Sequence, residues 1–219
     1  MNTMSDPAAN VTLYADAAWE SPYVFHVMVA LEELKLSYNL EPIRRPIAPE
    51  IQAQLRTHAL LPFVPAVAHG DFWLTESSAI SEYLAEQFPP PAHPRLMPDD
   101  LRERARARQV MSWLRTSLMG LRNDRPTTSV FMRPVTNPMS AQGRADADEL
   151  VRVAGMLVTP GKRSIASEWC IADADLSLAL MRLVGNDDAG VPKHLVDYAT
   201  ATWGRRSVLR YLACIPTTH

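Results

Sequence analysis

The sequence predicts an α+β protein in which an N-terminal domain with a mixed β-sheet precedes an all-helical C-terminal domain. Before residue 88, short apolar runs alternate with amphipathic stretches, and after residue 95 the patterns are almost wholly helical. A proline cluster, Phe88-Pro89-Pro90-Pro91-Ala92-His93-Pro94-Arg95, separates the two regions. Because proline ends helices and stiffens a chain, this cluster is typical of a linker. We therefore expect domains at residues 10–90 and 99–219, joined by residues 91–98.

The N-terminal region starts with a predicted strand at Val11–Tyr14. After a loop at Asp16–Glu20, it continues into a helix that opens at Ser21-Pro22. Serine is a favourable N-cap and proline fits the first helical position. The other expected elements are a strand at Tyr38–Leu40, a short helix at Ile51–Leu55, two strands on either side of His69-Gly70-Asp71, and a helix from Glu76-Ser77 to about Phe88. The order βαβ, then α, then ββα combines a crossover with a hairpin, which is the thioredoxin-like arrangement.

The C-terminal region is predicted to form a helical bundle. Asp99 or Asp100 can cap a long helix that runs through Leu121, and Arg125-Pro126 breaks it. Further expected elements are an irregular loop at Thr127–Asn137 and helices at Ser140–Leu157, Ile171–Val184, His194–Tyr198 and Ser207–Cys214.

Composition and charge narrow the class of protein. Apolar residues make up 47% of the 219 residues, as in globular proteins. The net charge of −2 and the isoelectric point of about 6.3 argue against a nucleic-acid partner. No apolar run is long enough to span a bilayer, so no membrane association is expected. The polar segment Met1–Asn10 lacks the apolar centre of a signal peptide and is expected to be a loose start.

The two cysteines, Cys170 and Cys214, form no paired pattern, which favours a reducing compartment and a cytoplasmic location. The six histidines lack metal-ligand spacing, so no metal is expected. Because the thioredoxin-like half contains no cysteine, it cannot carry out a dithiol reaction, and a co-substrate must supply the sulfur for any thiol chemistry.

Several segments carry a family resemblance through their order and spacing. They are Ser21-Pro22-Tyr23-Val24, Val64-Pro65, Leu74-Thr75-Glu76-Ser77-Ser78-Ala79-Ile80, Arg104-Ala105-Arg106-Ala107-Arg108-Gln109, Glu168-Trp169-Cys170-Ile171-Ala172-Asp173 and Leu195-Val196-Asp197-Tyr198-Ala199-Thr200. Together with the two-domain organisation, they resemble the soluble glutathione transferase superfamily over nearly the whole chain, and within it the bacterial YfcF type. The resemblance implies the glutathione transferase fold, reduced glutathione as co-substrate, and a homodimer with contacts near Phe72-Trp73 and the first long C-terminal helix.

The resemblance also implies where glutathione binds. Glu76 and Ser77 match the pair that holds the γ-glutamyl end, since a carboxylate can accept from the ammonium while hydroxyl and helix N–H groups donate to the carboxylate. Ser77 or Ser78 acting only as a helix cap is the simpler alternative. Pro65 matches the family's cis-proline, which leaves the Val64 backbone open to the cysteinyl residue. The sequence alone leaves a trans proline at a strand start as the alternative.

Ser21 is the candidate for activating the glutathione thiol. It lies at a predicted helix N-terminus, where an anion is favoured, and its hydroxyl can donate to the sulfur. Its alternative role is that of the N-cap alone. Tyr14 and Tyr23 are rival candidates, and Trp19 in the same loop is expected to shape the pocket.

One position departs from the family pattern. Many members carry a basic residue directly before the Val-Pro pair, where it meets the glycine carboxylate, whereas this chain has Phe63. That carboxylate then needs another partner, such as His58, Arg56 or Arg44, or stays partly solvated.

The electrophile site is expected on the first long C-terminal helix. Arg115 and Arg122 are seven residues apart and are predicted to share a helix face next to the cleft, where a positive group stabilises an acidic co-substrate or a developing anion. Solvated arginines are the alternative. Phe131 and Met132 are expected to wall the pocket.

Asp173 resembles the family's buried capping aspartate at the start of the central helix. The usual hydroxyl partner three residues earlier is replaced by Cys170, a weaker cap. The expected role of Asp173 is folding, and Cys170 and Cys214 are expected to be structural.

The sequence thus predicts a glutathione transferase in which the activated thiolate attacks an electrophilic carbon, a peroxide oxygen or a disulfide sulfur. A non-catalytic binding or assembly module with the same fold is the alternative, suggested by Phe63. Glutathione-dependent isomerisation is a further alternative, although Glu20-Ser21-Pro22 lacks the Ser-Ser-Cys run of that branch.

Overall fold

The computed structural model describes residues 10–216. The chain folds into two compact units, one running to Leu96 and the other spanning Met97–Ile215. The expectation of a loose start at Met1–Asn10 lies, apart from Asn10, outside the described residues. Each unit is built around its own core.

The first unit contains a four-stranded sheet with the strand order β2-β1-β3-β4. β1 pairs with β2 in parallel, and β3 pairs antiparallel with both β1 and β4. The strands are β1 (Val11–Asp16), β2 (Asn39–Ile43), β3 (Ala66–His69) and β4 (Phe72–Thr75). This arrangement confirms the predicted thioredoxin-like fold, with β2 displaced toward the C-terminus from its predicted position.

The register of the sheet brings several chain segments to one edge. Tyr14 of β1 lies opposite Ala66 of β3, and Ala66 lies opposite Thr75 of β4. Because β1 and β4 end at or just beyond this rung and β3 begins there, the residues after β1, before β3 and after β4 all leave the sheet at the same edge. β2 ends there too, since Ile43 is opposite Asp16.

Over residues 10–96, three helices complete the first unit. They are α1 (Pro22–Glu33), α2 (Pro49–Ala59) and α3 (Ser77–Gln87). α1 is buried on almost all sides from Val24 to Leu31, which fits its largely apolar sequence. The Thr75 hydroxyl donates to the Ala59 carbonyl oxygen at 3.3 Å and so ties the end of α2 to the end of β4.

The second unit is helical, as predicted. Its helices are α4 (Leu101–Thr116), α5 (Met119–Asp124), α6 (Thr127–Phe131), α7 (Ala141–Leu157), α8 (Ile171–Val184), α9 (Lys193–Trp203) and α10 (Arg206–Leu212). α8 is the central helix, because it packs against α4, α6, α7 and α9 and most of its side chains are buried. Two features of the sequence prediction are wrong in this unit.

The first error is the length of the first helix. The expected helix through Leu121 is broken, because Ser117 is extended and Leu118 takes a left-handed conformation with φ of 59°. The break is stabilised from α7: the Asp146 carboxylate accepts from the backbone N–H groups of Gly120 at 2.7 Å and Leu121 at 3.2 Å. A carboxylate at the start of α5 satisfies N–H groups that have no partner within the helix.

The second error concerns the expected loop at Thr127–Asn137, whose first part forms α6. Phe131 ends this helix and is 8% exposed, packing against Tyr211 at 5.2 Å and Trp203 at 6.2 Å between ring centroids. Phe131 thus packs into the helical core from a short helix, whereas we expected it in an irregular loop. Met132, which follows it, is 40% exposed.

The start of α8 has the capping arrangement expected for Asp173. Its buried carboxylate accepts from the Cys170 N–H at 2.9 Å, the Ile165 N–H at 2.9 Å, the Ser164 hydroxyl at 2.8 Å and the Tyr198 hydroxyl at 2.6 Å. Burial nevertheless raises the pKa of Asp173, because removal of water from the charged form outweighs these hydrogen bonds.

Candidate functional site

The candidate site lies at the sheet edge to which the register brings β1, β3 and β4. Ser21 follows the turn after β1, Val64 and Pro65 lie directly before β3, and Glu76 and Ser77 lie directly after β4. The structure therefore brings the five main predicted site residues to the same end of the sheet. These five residues come from three separate segments of the chain.

Ser21 is the N-cap of α1. Its Oγ accepts from the Val24 N–H at 3.3 Å, Pro22 occupies the first helical position, and the Ser21 side chain is buried. The cap prediction is confirmed. A hydroxyl accepts and donates at once, so capping and donation to a ligand are compatible.

The peptide bond between Val64 and Pro65 is cis, which resolves the alternative that the sequence left open. Val64 is 6% exposed, and its neighbour Pro65 directly precedes the first ladder residue, Ala66. The Val64 backbone N–H and carbonyl take no partner among residues 10–216. A buried residue with both backbone groups open is suited to pair with an extended peptide.

Glu76 begins α3 in an unusual conformation, with φ of 67° and ψ of 109°. A non-glycine residue at positive φ is strained, and such residues are concentrated at functional sites. Within the described chain the exposed Glu76 carboxylate makes no hydrogen bond or ion pair, and it does not cap its own helix. Ser77, the first helical residue, is 4% exposed. A free carboxylate thus stands beside a helix N-terminus that has no side-chain cap.

The aromatic residues near Ser21 are engaged in packing. Tyr14 stacks on Trp73 with centroids 4.8 Å apart, and burial, followed by the charge of Glu41, raises the pKa of Tyr14. Tyr23 is the second residue of α1 and half-buried. Trp19 takes a left-handed φ of 55° and is 6% exposed. Trp19 is therefore a buried part of the loop before Ser21.

The two arginines of the expected cleft belong to the second unit. Arg115 pairs with Asp175, and Arg122 donates to the Arg115 carbonyl oxygen at 2.8 Å. They lie on different helices, α4 and α5, so the expectation that they share one helix face is wrong. The reason is the break at Leu118.

Phe63, which replaces the family's basic residue, and the three candidate partners of the glycine carboxylate are exposed. Phe63 is 58% exposed, and Arg44, Arg56 and His58 are exposed as well. The His58 ring lies 5.2 Å from that of Trp73. Each of the three stays a candidate partner for the glycine carboxylate.

Asp16 is a residue that the sequence indicated only as the start of a loop. The structure places its side chain in the turn that leads to Ser21, where the carboxylate accepts from the Glu20 N–H at 2.8 Å. The sequence signal that could have indicated Asp16 is an acidic residue directly after the apolar residues of β1.

Family models match both halves of the chain. One, described as the C-terminal domain of glutathione S-transferase, matches residues 100–216, and another, described as its N-terminal domain, matches residues 9–86. The chain belongs to the glutathione S-transferase family. Its narrower resemblance to the YfcF type stays a prediction.

Solved glutathione S-transferase structures resemble this family member over nearly its whole length. A glutathione transferase homologue from Burkholderia gl BGR1, with bound glutathione, is 29% identical, covers 93% of this chain and 96% of its own, and has a TM-score of 0.73. A theta-class enzyme from Xanthomonas axonopodis pv. citri, with glutathione bound, is 20% identical, covers 96% and 98%, and has a TM-score of 0.69, so it supports the fold alone.

A curated relative, glutathione S-transferase U13 of Arabidopsis thaliana, is 29% identical over 101 residues. That alignment covers 46% of this chain and 44% of the relative. Within residues 10–216, no group of three or more His, Cys, Asp or Glu side chains is arranged to hold a metal ion. No helix in that range has the length and apolarity needed to cross a membrane.

Proposed function

We propose that this chain binds reduced glutathione at the sheet edge and activates its thiol as a glutathione transferase. The observation that carries the proposal is the strand register, in which Tyr14, Ala66 and Thr75 lie side by side in neighbouring strands. Because of this register, Ser21, Val64 and Glu76 lie at the same end of the sheet. The Burkholderia homologue, with its bound glutathione and 29% identity over 93% of this chain, supports the same ligand.

Glu76 and Ser77 would hold the γ-glutamyl end of the tripeptide. The free Glu76 carboxylate is a charge-assisted acceptor for the ammonium, and the Ser77 hydroxyl and the N–H groups at the start of α3 are donors for the carboxylate.

Val64 and Pro65 would hold the cysteinyl residue. The open N–H and carbonyl of Val64 can form two antiparallel hydrogen bonds with the cysteinyl backbone, as an added strand would. This pairing orients the thiol toward the start of α1. There the partial positive charge of the helix and the Ser21 hydroxyl favour the thiolate over the thiol, and Ser21 keeps its own proton.

The thiolate is the nucleophile in each of the reactions that follow from this site. With an electrophilic carbon it forms a thioether and displaces the leaving group. With a hydroperoxide it attacks oxygen and releases the alcohol, and a second glutathione then yields glutathione disulfide and water. With a mixed disulfide it forms a new S–S bond and releases the other thiol as thiolate. The latter two are the peroxidase and disulfide reductase activities.

A non-catalytic binding module is the second candidate, and Phe63 favours it. This 58% exposed ring stands where many family members carry a cation for the glycine carboxylate. Binding without a lowered thiol pKa would identify such a module. No structural observation favours the isomerase alternative.

We further propose that the protein is cytoplasmic and that its partners are glutathione, a small co-substrate and a second copy of this chain. Phe72 on β4 is 47% exposed, and Met156, which lines a groove between α4 and α7, is 72% exposed. Exposed apolar surface of this kind supports association.

A three-substrate panel tests the proposed reaction. Wild-type protein and Ser21→Ala would be assayed with glutathione against an aryl halide, an organic hydroperoxide and a small mixed disulfide. We expect the wild type to turn over at least one substrate and the variant to be slower. Calorimetric titration with millimolar glutathione tests binding separately: uptake without turnover favours the binding module, and no uptake refutes both candidates.

A further inference from the structure

Asp16 connects the sheet to the helix that carries Ser21. Its backbone is held in the last rung of β1, opposite Ile43, and the next residue, Ala17, donates its N–H to the Ile43 carbonyl at 2.9 Å. The position of Asp16 is therefore set by the sheet. Five residues later, the chain reaches Ser21.

The intervening turn closes on Asp16 twice. The Asp16 carbonyl accepts from the Trp19 N–H at 3.2 Å, and its carboxylate Oδ2 accepts from the Glu20 N–H at 2.8 Å. Trp19 stands at positive φ with its ring buried, so the turn is compact. Glu20 is the residue directly before Ser21. The contact of its N–H with Asp16 Oδ2 therefore sets the position of Ser21, the N-cap residue of α1.

The second carboxylate oxygen of Asp16 is anomalous. Asp16 is 2% exposed, and its Oδ1 is buried with no hydrogen-bond partner among residues 10–216. A buried carboxylate oxygen without a protein partner lowers the stability of a fold. The buried Asp16 carboxylate thus lowers the stability of the fold. Residues that lower stability in this way are typical of functional sites.

We propose that Asp16 is a positioning residue for thiol activation, which holds Ser21 at the start of α1 by closing the β1–α1 turn. This inference rests on the proposed function. Because Oδ1 is buried, Asp16 acts through Glu20 and Ser21 and does not itself touch glutathione. A shift of the turn would move the Ser21 hydroxyl away from the sulfur, and misplacement by about 1 Å reduces enzymatic rates by as much as about a hundredfold.

Three substitutions separate the geometric role from the charge. Asp16→Asn keeps an oxygen that accepts from the Glu20 N–H, Asp16→Ser offers an acceptor that is closer to the backbone, and Asp16→Ala offers none. Asp146→Ala is the matched control, since it removes a carboxylate that accepts a backbone N–H at a similar 2.7 Å but lies in the second unit.

The test measures the pKa of bound glutathione by thiolate absorbance, together with kcat and KM for glutathione. We expect Asp16→Asn to stay within about twofold of wild type. Asp16→Ala should raise the thiol pKa and lower kcat by about tenfold or more, with a smaller change in KM. Asp146→Ala should lower the melting temperature and leave the thiol pKa unchanged.

Three results overturn the inference: an unchanged thiol pKa in Asp16→Ala, an equal loss in Asp16→Asn and Asp16→Ala, or an equal shift in Asp146→Ala. If Asp16→Ala does not fold, the comparison of Asp16→Asn with Asp16→Ser decides, and equal thiol pKa values overturn the inference. If wild-type protein itself does not bind glutathione or does not lower its thiol pKa, the proposed function fails instead.

Discussion

Arg115 and Asp175 form an ion pair in the helical unit, with Arg115 Nη1 2.5 Å from Asp175 Oδ2 and side chains 16% and 8% exposed. The same Nη1 donates to the Met111 carbonyl at 2.9 Å, one turn earlier in α4. Arg122 then donates to the Arg115 carbonyl at 2.8 Å, which satisfies an acceptor in the last turn of α4. Both arginines therefore contribute to the structure of the helical unit.

Removing Arg115 should destabilise the protein. We expect Arg115→Ala to lower the free energy of unfolding by about 3 kcal/mol, because the mostly buried Asp175 carboxylate loses its ion pair with Arg115. Urea denaturation of wild type and Arg115→Ala measures this difference in the free energy of unfolding. In the double variant Arg115→Met with Asp175→Leu, much of the loss should be recovered. A raised KM for the electrophile in that stable double variant would instead indicate that Arg115 also lines the co-substrate site.

Ser21→Ala should affect both the helix and the thiol. Loss of the cap to Val24 should lower stability by about 1 kcal/mol. Loss of the hydroxyl donor should raise the pKa of bound glutathione and slow conjugation at neutral pH, where less thiolate forms. Ser21→Thr is the control, since it keeps a hydroxyl that can cap and donate. Rates that depend on pH identically in all three proteins would refute the assignment of Ser21.

Two glycines of α7 should respond to alanine in opposite directions. A Cβ at Gly143 would clash with Asp124 Oδ2 and lie 3.3 Å from Ser140 Oγ, whereas Gly155 has nothing within 4 Å. Gly143→Ala should therefore destabilise by about 1–3 kcal/mol. Gly155→Ala should stabilise by up to about 1 kcal/mol, because alanine is the better helix former. Thermal melts of both variants check the prediction, and equal effects would contradict it.

Asp124 should make the protein sensitive to acid. Hydrogen bonds from the Ser140 side chain and then its backbone N–H lower the pKa of Asp124. A depressed carboxyl pKa adds stability above the unfolded value of about 3.9, and that stability disappears as the pH falls through the folded value. Melting temperatures of wild type and Asp124→Asn should therefore differ at neutral pH, and the difference should shrink as the pH falls through the lowered pKa of Asp124. A constant difference at every pH would argue against this linkage.

Cys170 should resist thiol reagents in the folded protein. It is 1% exposed, and burial, with the nearby Asp173 charge, raises the pKa of its thiol. Because the thiolate is the reactive form, an aromatic disulfide reagent should modify Cys214, which is half-buried, and leave Cys170 intact. In denaturant both should react. Mass spectrometry of the modified peptides checks this, and native labelling of Cys170 would contradict its structural role.

Local signals in the sequence were sufficient for much of the fold. Ser21-Pro22 marks the start of α1 because the cap and the proline act within one turn. The apolar run Ile171–Val184 has the bounds of α8, since a buried helix needs a continuous apolar surface. The order of strands and helices predicted the thioredoxin-like sheet, and short motifs indicated Val64, Pro65, Glu76 and Ser77.

By itself, then, the sequence determined the fold class, most elements and the family. The tertiary structure decided the break at Leu118, which an α7 carboxylate stabilises, and the ion pair of Arg115 with Asp175, which lies 60 residues away. It also decided the cis bond at Val64 and the turn that Asp16 closes. Helical period and motif spacing describe neighbours along the chain, whereas these features depend on groups that meet only once the strands and helices have packed.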